Sequence, residues 1–172
     1  MGHARPPSRR RAPDRLMPSR RDQIKLTEEE LAELVESQRV VVVSSIGPRG
    51  WPHVMPLWYV PRDGDVWIWT YAKSQKVKNL ERDPRATLMI ETGVEYTELR
   101  GVQIEAEAEL IRDVDRIVDF AKDLTVRYSE GIDSVERDAA GALQAQAPKR
   151  VAIHFHPKRI ATWDHRKLGG TY

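Results

Sequence analysis

Cysteine is absent, which excludes a disulfide framework, a thiolate metal site and a cysteine nucleophile. Long apolar runs are missing too: no stretch approaches the roughly 20 residues that span a bilayer. The arginine-bearing start has no apolar segment of the kind a secretory signal needs, so a cytoplasmic location and no membrane association are expected. Histidine is scarce, with five in the chain. His154 and His156 are two apart and share one side of a strand, but a zinc site needs a third and usually a fourth ligand. His53 and His165 stand at unrelated spacings. The expectation is a histidine pair on a strand face and no metal. No Ser/His/Asp arrangement stands out, so no catalytic residue is assigned.

What is present is unevenly spread. The net charge is +2, yet seven arginines fall in the first 21 residues, among Pro6, Pro7, Pro13 and Pro18. Such a segment buries too little apolar surface to offset its ordering entropy. Residues 1–22 therefore read as a disordered basic tail and residues 23–172 as one domain. The domain itself is neutral to acidic, which argues against a nucleic-acid-binding body.

Thr27 followed by Glu28-Glu29-Glu30 is a capping box, and Leu31, Leu34 and Val35 give the helix after it one apolar stripe. Residues 39–46 are a β-branched run expected to be a strand buried on both sides. Residues 51–60 form a second strand, in which Pro52 and Pro56 demand an edge or an irregular position. Asp63-Gly64 is a hairpin turn. Residues 66–71 place Val66, Ile68 and Thr70 on one face and three aromatics on the other. Residues 86–91 are a fourth strand. In the fifth, Val102 to Leu110 alternate with Gln103, Glu105, Glu107 and Glu109, an acidic row expected to face solvent. Asp113 caps a helix with Val114, Ile117, Val118, Ala121, Leu124 and Tyr128 on one face. Residues 134–147 read as a weaker helix. Residues 151–156 and 159–163 read as sixth and seventh strands, separated at Pro157. The first three strands are joined by turns of about four residues, within the range of hairpins, so the sheet is antiparallel and a small barrel is expected.

The stretch from Thr70 to Pro84 carries the function signal. A strand end passes through a polar turn into a helix bearing Lys73, Lys76 and Lys78 around its start. Unpaired N–H groups and the dipole at a helix start favour an anion, and lysines add to that attraction. By itself this is an anion site, open to a nucleotide, a phosphorylated substrate or a surface charge patch.

Two segments in this order, residues 50–59 (Gly-Trp-Pro-His-Val-Met-Pro-Leu-Trp-Tyr) and 74–85 (Ser-Gln-Lys-Val-Lys-Asn-Leu-Glu-Arg-Asp-Pro-Arg), resemble the pyridoxamine-phosphate-oxidase-like split β-barrel family of flavin- and deazaflavin-dependent oxidoreductases. The resemblance spans residues 27–172. It implies a mainly β fold with flanking helices, a six- to seven-stranded antiparallel split β-barrel of the FMN-binding kind. It also implies a homodimer with cofactor at the subunit interface. The Asn79-to-Arg85 segment and the ending Trp163-Asp164-His165-Arg166-Lys167-Leu168 look more like the branch that uses the deazaflavin coenzyme F-420. The Arg-Leu-x-Pro ending that grips pyridoxal phosphate is absent. The implied function is hydride transfer to a small conjugated molecule. The alternatives are an FMN-dependent oxidase or reductase of the same fold, or a non-catalytic flavin-binding protein. By the same resemblance Lys76 matches the phosphate-binding lysine, with Ser74, Lys78, Thr70 and Tyr71 beside it. Val54, Met55, Pro56 and Trp58 lie along the ring, and Trp163, with His165, reaches the partner's site.

Overall fold

A computed structural model describes residues 19–129, 141 and 144–169. Residues 1–18 of the expected tail, and most of the helix expected over 134–147, lie outside the described residues. Arg20 to Asp22, assigned to the tail from sequence, belong to a short helix, α1 (Arg20–Gln23), whose N-cap Ser19 accepts from the Asp22 N–H. The helix α2 (Glu28–Ser37) opens on the expected capping box, with Thr27 and Glu30 satisfying each other's backbone N–H groups. Seven strands follow: β1 (Val40–Ile46), β2 (Pro52–Trp58), β3 (Val60–Arg62), β4 (Asp65–Tyr71), β5 (Arg85–Thr92), β6 (Arg100–Ile111) and β7 (Arg150–Asp164). Helix α3 (Gln75–Arg82) connects β4 to β5, and α4 (Val114–Tyr128) follows β6. No helix among the described residues is long and apolar enough to cross a membrane.

All seven strands form one antiparallel sheet in the order β2-β1-β5-β6-β7-β4-β3. The segment expected as one strand from Trp51 to Val60 is two, and Tyr59 alone separates them. Yet β2 and β3 stand at opposite edges of the sheet. One residue cannot bridge a flat seven-stranded sheet whose strands lie about 4.8 Å apart, so the sheet curls until its edges meet. That is the split barrel. Tyr59 is fully buried, its hydroxyl donating to the Val35 carbonyl at 2.5 Å, and burial pushes its phenol well above the ordinary value. Its N–H donates to the Tyr128 hydroxyl at 2.9 Å, which itself lies 2.6 Å from the Arg39 carbonyl. Tyr128 thus supplies the hydrogen bonds that neither edge strand provides at the seam.

The strands expected on either side of Pro157 are a single one. Pro157 stands opposite Ala106 and Arg159 opposite Glu105, leaving Lys158 as the extra residue of a bulge. A bulge is where a sheet tolerates a residue without an N–H. The Asp63-Gly64 turn is as expected, with φ of 53° and 85°.

Two cores result. Inside the barrel, Val41, Val43, Ile68, Leu88, Val102, Ile153 and Phe155 pack with Leu34 and Val35 of α2. Outside it, Ile117, Phe120 and Leu124 of α4 cover Ala152 of β7, Val60 of β3 and the flank of Trp67 on β4. The acidic row of β6 does face outward, and β7 answers it with cations: Lys158 to Glu107 at 2.9 Å and Arg159 to Glu105 at 3.3 Å. Strand β1 is not buried on both sides as expected. Val41, Val43 and Ser45 point inward, while Val40 and Ile46 are exposed on the outer face.

Candidate functional site

Helix α3 lies across one end of the barrel. Its Asn79 is fully buried and donates to Ser45 of β1 at 3.1 Å, and Gln75 donates back to Asn79 at 2.8 Å. Arg82 donates to the Ile46 carbonyl. Asn79 thus braces the turn, fixing the helix start over the end of β4.

That start is built for a negative charge. Ser74 occupies the N-cap but makes no capping bond, and no acidic residue sits in the first turn. The first N–H groups of α3 therefore lack the side-chain acceptor such ends normally recruit. Lys76 is only 8% exposed. Its Nζ donates to Thr70 Oγ1 at 3.0 Å, and that hydroxyl lies 3.5 Å from Ser74 Oγ. Among the described residues Lys76 has no carboxylate partner, and burial alone pulls its ammonium below the ordinary lysine value. A buried cation without a counter-charge is costly. Together with an uncapped helix start and two hydroxyls, it fits a phosphate.

The structure thus joins Lys76, Ser74 and Thr70, and it leaves Lys78 and Tyr71 exposed at the rim. The ring-facing set divides. Strand alternation turns Val54, Pro56 and Trp58 to the outer face, paired with Ser44, Val42 and Val40, while Met55, still 39% exposed, stands on the other side opposite Val43. Met55 therefore cannot share a surface with Val54 and Pro56 as expected. Trp58 lies at the far end of β2 from the cradle, 58% exposed, and stacks on Tyr128 at 4.5 Å. Trp163 is also distant within one chain. Thr70 pairs with Val151, and Trp163 is twelve residues further along β7, up to about 40 Å of strand. Its ring lies over Gly101, where an added Cβ would come within 2.2 Å of it. His165 Nδ1 is 2.8 Å from the Tyr96 carbonyl.

Two neighbours of the cradle escape the sequence reading. His53 lies opposite Ser45, and its Nδ1 is buried without a hydrogen-bond partner. Arg150 pairs with Tyr71, its guanidinium 3.7 Å from that ring and 4.6 Å from Trp69, with its Nε also unpartnered. Both depend on cross-strand register, which no local pattern reveals. A shallow cleft of about 410 Å³ runs over β1, β5 and β6 beside Ser44, Thr87, Arg85 and Lys158, next to the Val54 row. An apolar cavity of about 360 Å³ lies elsewhere, between α2 and the barrel around Leu31, Val66 and Phe155.

Comparison with known proteins adds to this geometry. Residues 27–164 match the family model described as pyridoxamine 5'-phosphate oxidase. A conserved hypothetical protein of Mycobacterium tuberculosis is 35% identical, covering 90% of this chain and 94% of its own, with a TM-score of 0.80. The structure of an F-420 reductase matches at 18% identity and TM-score 0.60, over 78% of this chain and 98% of that one. An FAD-binding protein from Mesorhizobium loti matches at 17% identity and TM-score 0.59, over 80% and 94%. At those identities the last two are likenesses of fold. No curated protein matches.

Proposed function

We propose, for a chain that belongs to the pyridoxamine 5'-phosphate oxidase-like split-barrel family, that it is an oxidoreductase using the deazaflavin coenzyme F-420 to reduce a small conjugated organic molecule. The observation that carries the reading is Lys76: a buried ammonium, unpaired among the described residues, at an uncapped helix start, 3.0 Å from the Thr70 hydroxyl. Lys76, Thr70, Ser74 and the first N–H groups of α3 hold the coenzyme's phosphate. Lys73 and Lys78, exposed beside them, suit the further carboxylates of a polyglutamate tail, which FMN lacks. When bound, the deazaflavin supplies the hydride, as a two-electron donor. The Val54 and Pro56 side of β2, at the same end of the barrel, borders the ring.

The protein acts as a homodimer in this reading. Val40, Val54, Trp58 and Met89 leave apolar side chains exposed on the outer face of β1, β2 and β5. Trp163, remote from the cradle of its own chain, is then available to the partner's site.

Titration of the purified protein with coenzyme F-420 and with FMN tests the assignment. Tighter binding of the deazaflavin is expected. Co-purification with tightly held FMN overturns the F-420 assignment and leaves an FMN enzyme on the same cradle.

A further inference from the structure

At the end of β4 opposite the cradle, three strands bring together a second set of polar side chains. His154 on β7 stands opposite Glu109 on β6 and opposite Trp67 on β4, and His156 is two residues on, facing the same way. Side-chain atoms of Asp65, His154 and His156 lie within 4.8 Å of one another. Asp65 Oδ2 is 2.7 Å from His154 Nε2, a hydrogen bond. Glu109 Oε2 is 3.1 Å from His156 Nε2 and 3.7 Å from His154 Nδ1.

These distances separate two roles. Ligands held about 2.1 Å from a tetrahedral ion stand about 3.4 Å from one another, and 3.1 and 3.7 Å bracket that value. The Asp65–His154 and Glu109–His156 contacts are both hydrogen bonds, and the first is the shorter. Asp65 thus sits behind His154 as the carboxylate that orients a ligating imidazole. The Trp67 indole lies against the same ring at 4.2 Å and 15°, fixing its plane.

Charge points the same way. Elsewhere on this face β7 meets the glutamates of β6 with Lys158 and Arg159. Here it offers two histidines to two carboxylates, helped by Arg116 at 3.6 Å from Glu109. The nearby Arg62 is engaged by Asp119 and Asp123.

We propose that His154 Nδ1, His156 Nε2 and Glu109 Oε2 form a binding site for a divalent transition metal of the zinc class, with water as the fourth ligand and Asp65 as the positioning residue. Imidazole nitrogens select such ions over magnesium or calcium. The six steps of β4 from Asp65 to Tyr71 put the site about 20 Å from the cradle. Within one chain the metal therefore stands apart from the cradle. It clasps β7 to β6, and through Asp65 to β4, which makes it a stabilising centre independent of the cofactor reading.

The experiment is titration of untagged, metal-stripped protein with Co²⁺ followed by visible absorption, and with Zn²⁺ by calorimetry. The expected result is one ion per chain, a tetrahedral cobalt spectrum and a Tm that rises with Zn²⁺. His154→Gln/His156→Gln lowers affinity by about 100-fold or more and abolishes the Tm rise, and Asp65→Asn lowers affinity about 10- to 100-fold. If the double variant does not fold, Glu109→Gln at an exposed position carries the same test. A wild type that binds neither ion, a six-coordinate aquo-cobalt spectrum, or ligand variants that bind like the wild type would each overturn the site.

Discussion

Lys76 joins three properties that lysine rarely combines: burial, a hydroxyl as its only described partner, and a place at the start of a helix. In the proposed site, replacing it with alanine removes a charged hydrogen bond to the coenzyme's phosphate. Affinity is expected to fall by about 1–3 kcal/mol in a fluorescence or absorbance titration, and an unchanged Kd would show the cradle is misplaced. The free protein carries a second signature. The folded-state value of this ammonium is depressed, so the unfolded chain binds more protons, and stability rises with pH between that value and the ordinary 10.5. Lys76→Met is expected to flatten that alkaline rise in urea titrations of the coenzyme-free protein. Tyr128→Phe keeps the stack on Trp58 but strips the seam of its hydroxyl and leaves the Tyr59 N–H unsatisfied. A loss of about 1–3 kcal/mol with an unchanged m-value is expected. Lys76, Ser74 and Thr70 were legible because a strand end, a turn and a helix start are local signals. His53, Arg150 and the tyrosine seam were not, since each gains its role from a residue distant in sequence.

At the scale of elements, the number of strands came out as expected while two of their boundaries did not. Pro157 reads as a break because the proline itself is visible and the bulge that absorbs it is not. The break at Tyr59 has the opposite character: strand-forming residues run through it, and only the return of the chain to the far edge ends β2. The capping box, the Asp-Gly turn and the alternation of β6 were all plain, being chemistry within a few residues. Gly101 shows what alternation misses, since its absent side chain is what seats Trp163. Gly101→Ala is expected to push that ring outward and cost about 1–3 kcal/mol as an overpacking change, read as a lower Cm in urea.

For the whole molecule, the proposed dimer rests on the exposed face of β1, β2 and β5. Val54 is 52% exposed in one chain, so a charge there costs an isolated fold little but is expensive inside an interface. Val54→Glu is expected to shift sedimentation from dimer to monomer while circular dichroism stays unchanged. A wild type that sediments as a monomer counts against the dimer and against any role for Trp163 at a neighbouring cradle. The class of fold was legible in the sequence of one chain. What lies between two copies has no signature in the sequence of one.

The strand order has a further consequence, for synthesis on the ribosome. Strand β7, the last of the seven in sequence, lies between β6 and β4 near the middle of the sheet. Tyr71 pairs with Arg150, so 78 residues follow β4 before its partner begins. At translation rates of about 5–20 residues per second, the β3–β4 hairpin waits roughly 4–16 s with one edge open. Throughout that interval the nascent chain offers an unpaired strand carrying Trp67 and Trp69, the kind of edge that chaperones cover and that truncated products use to aggregate.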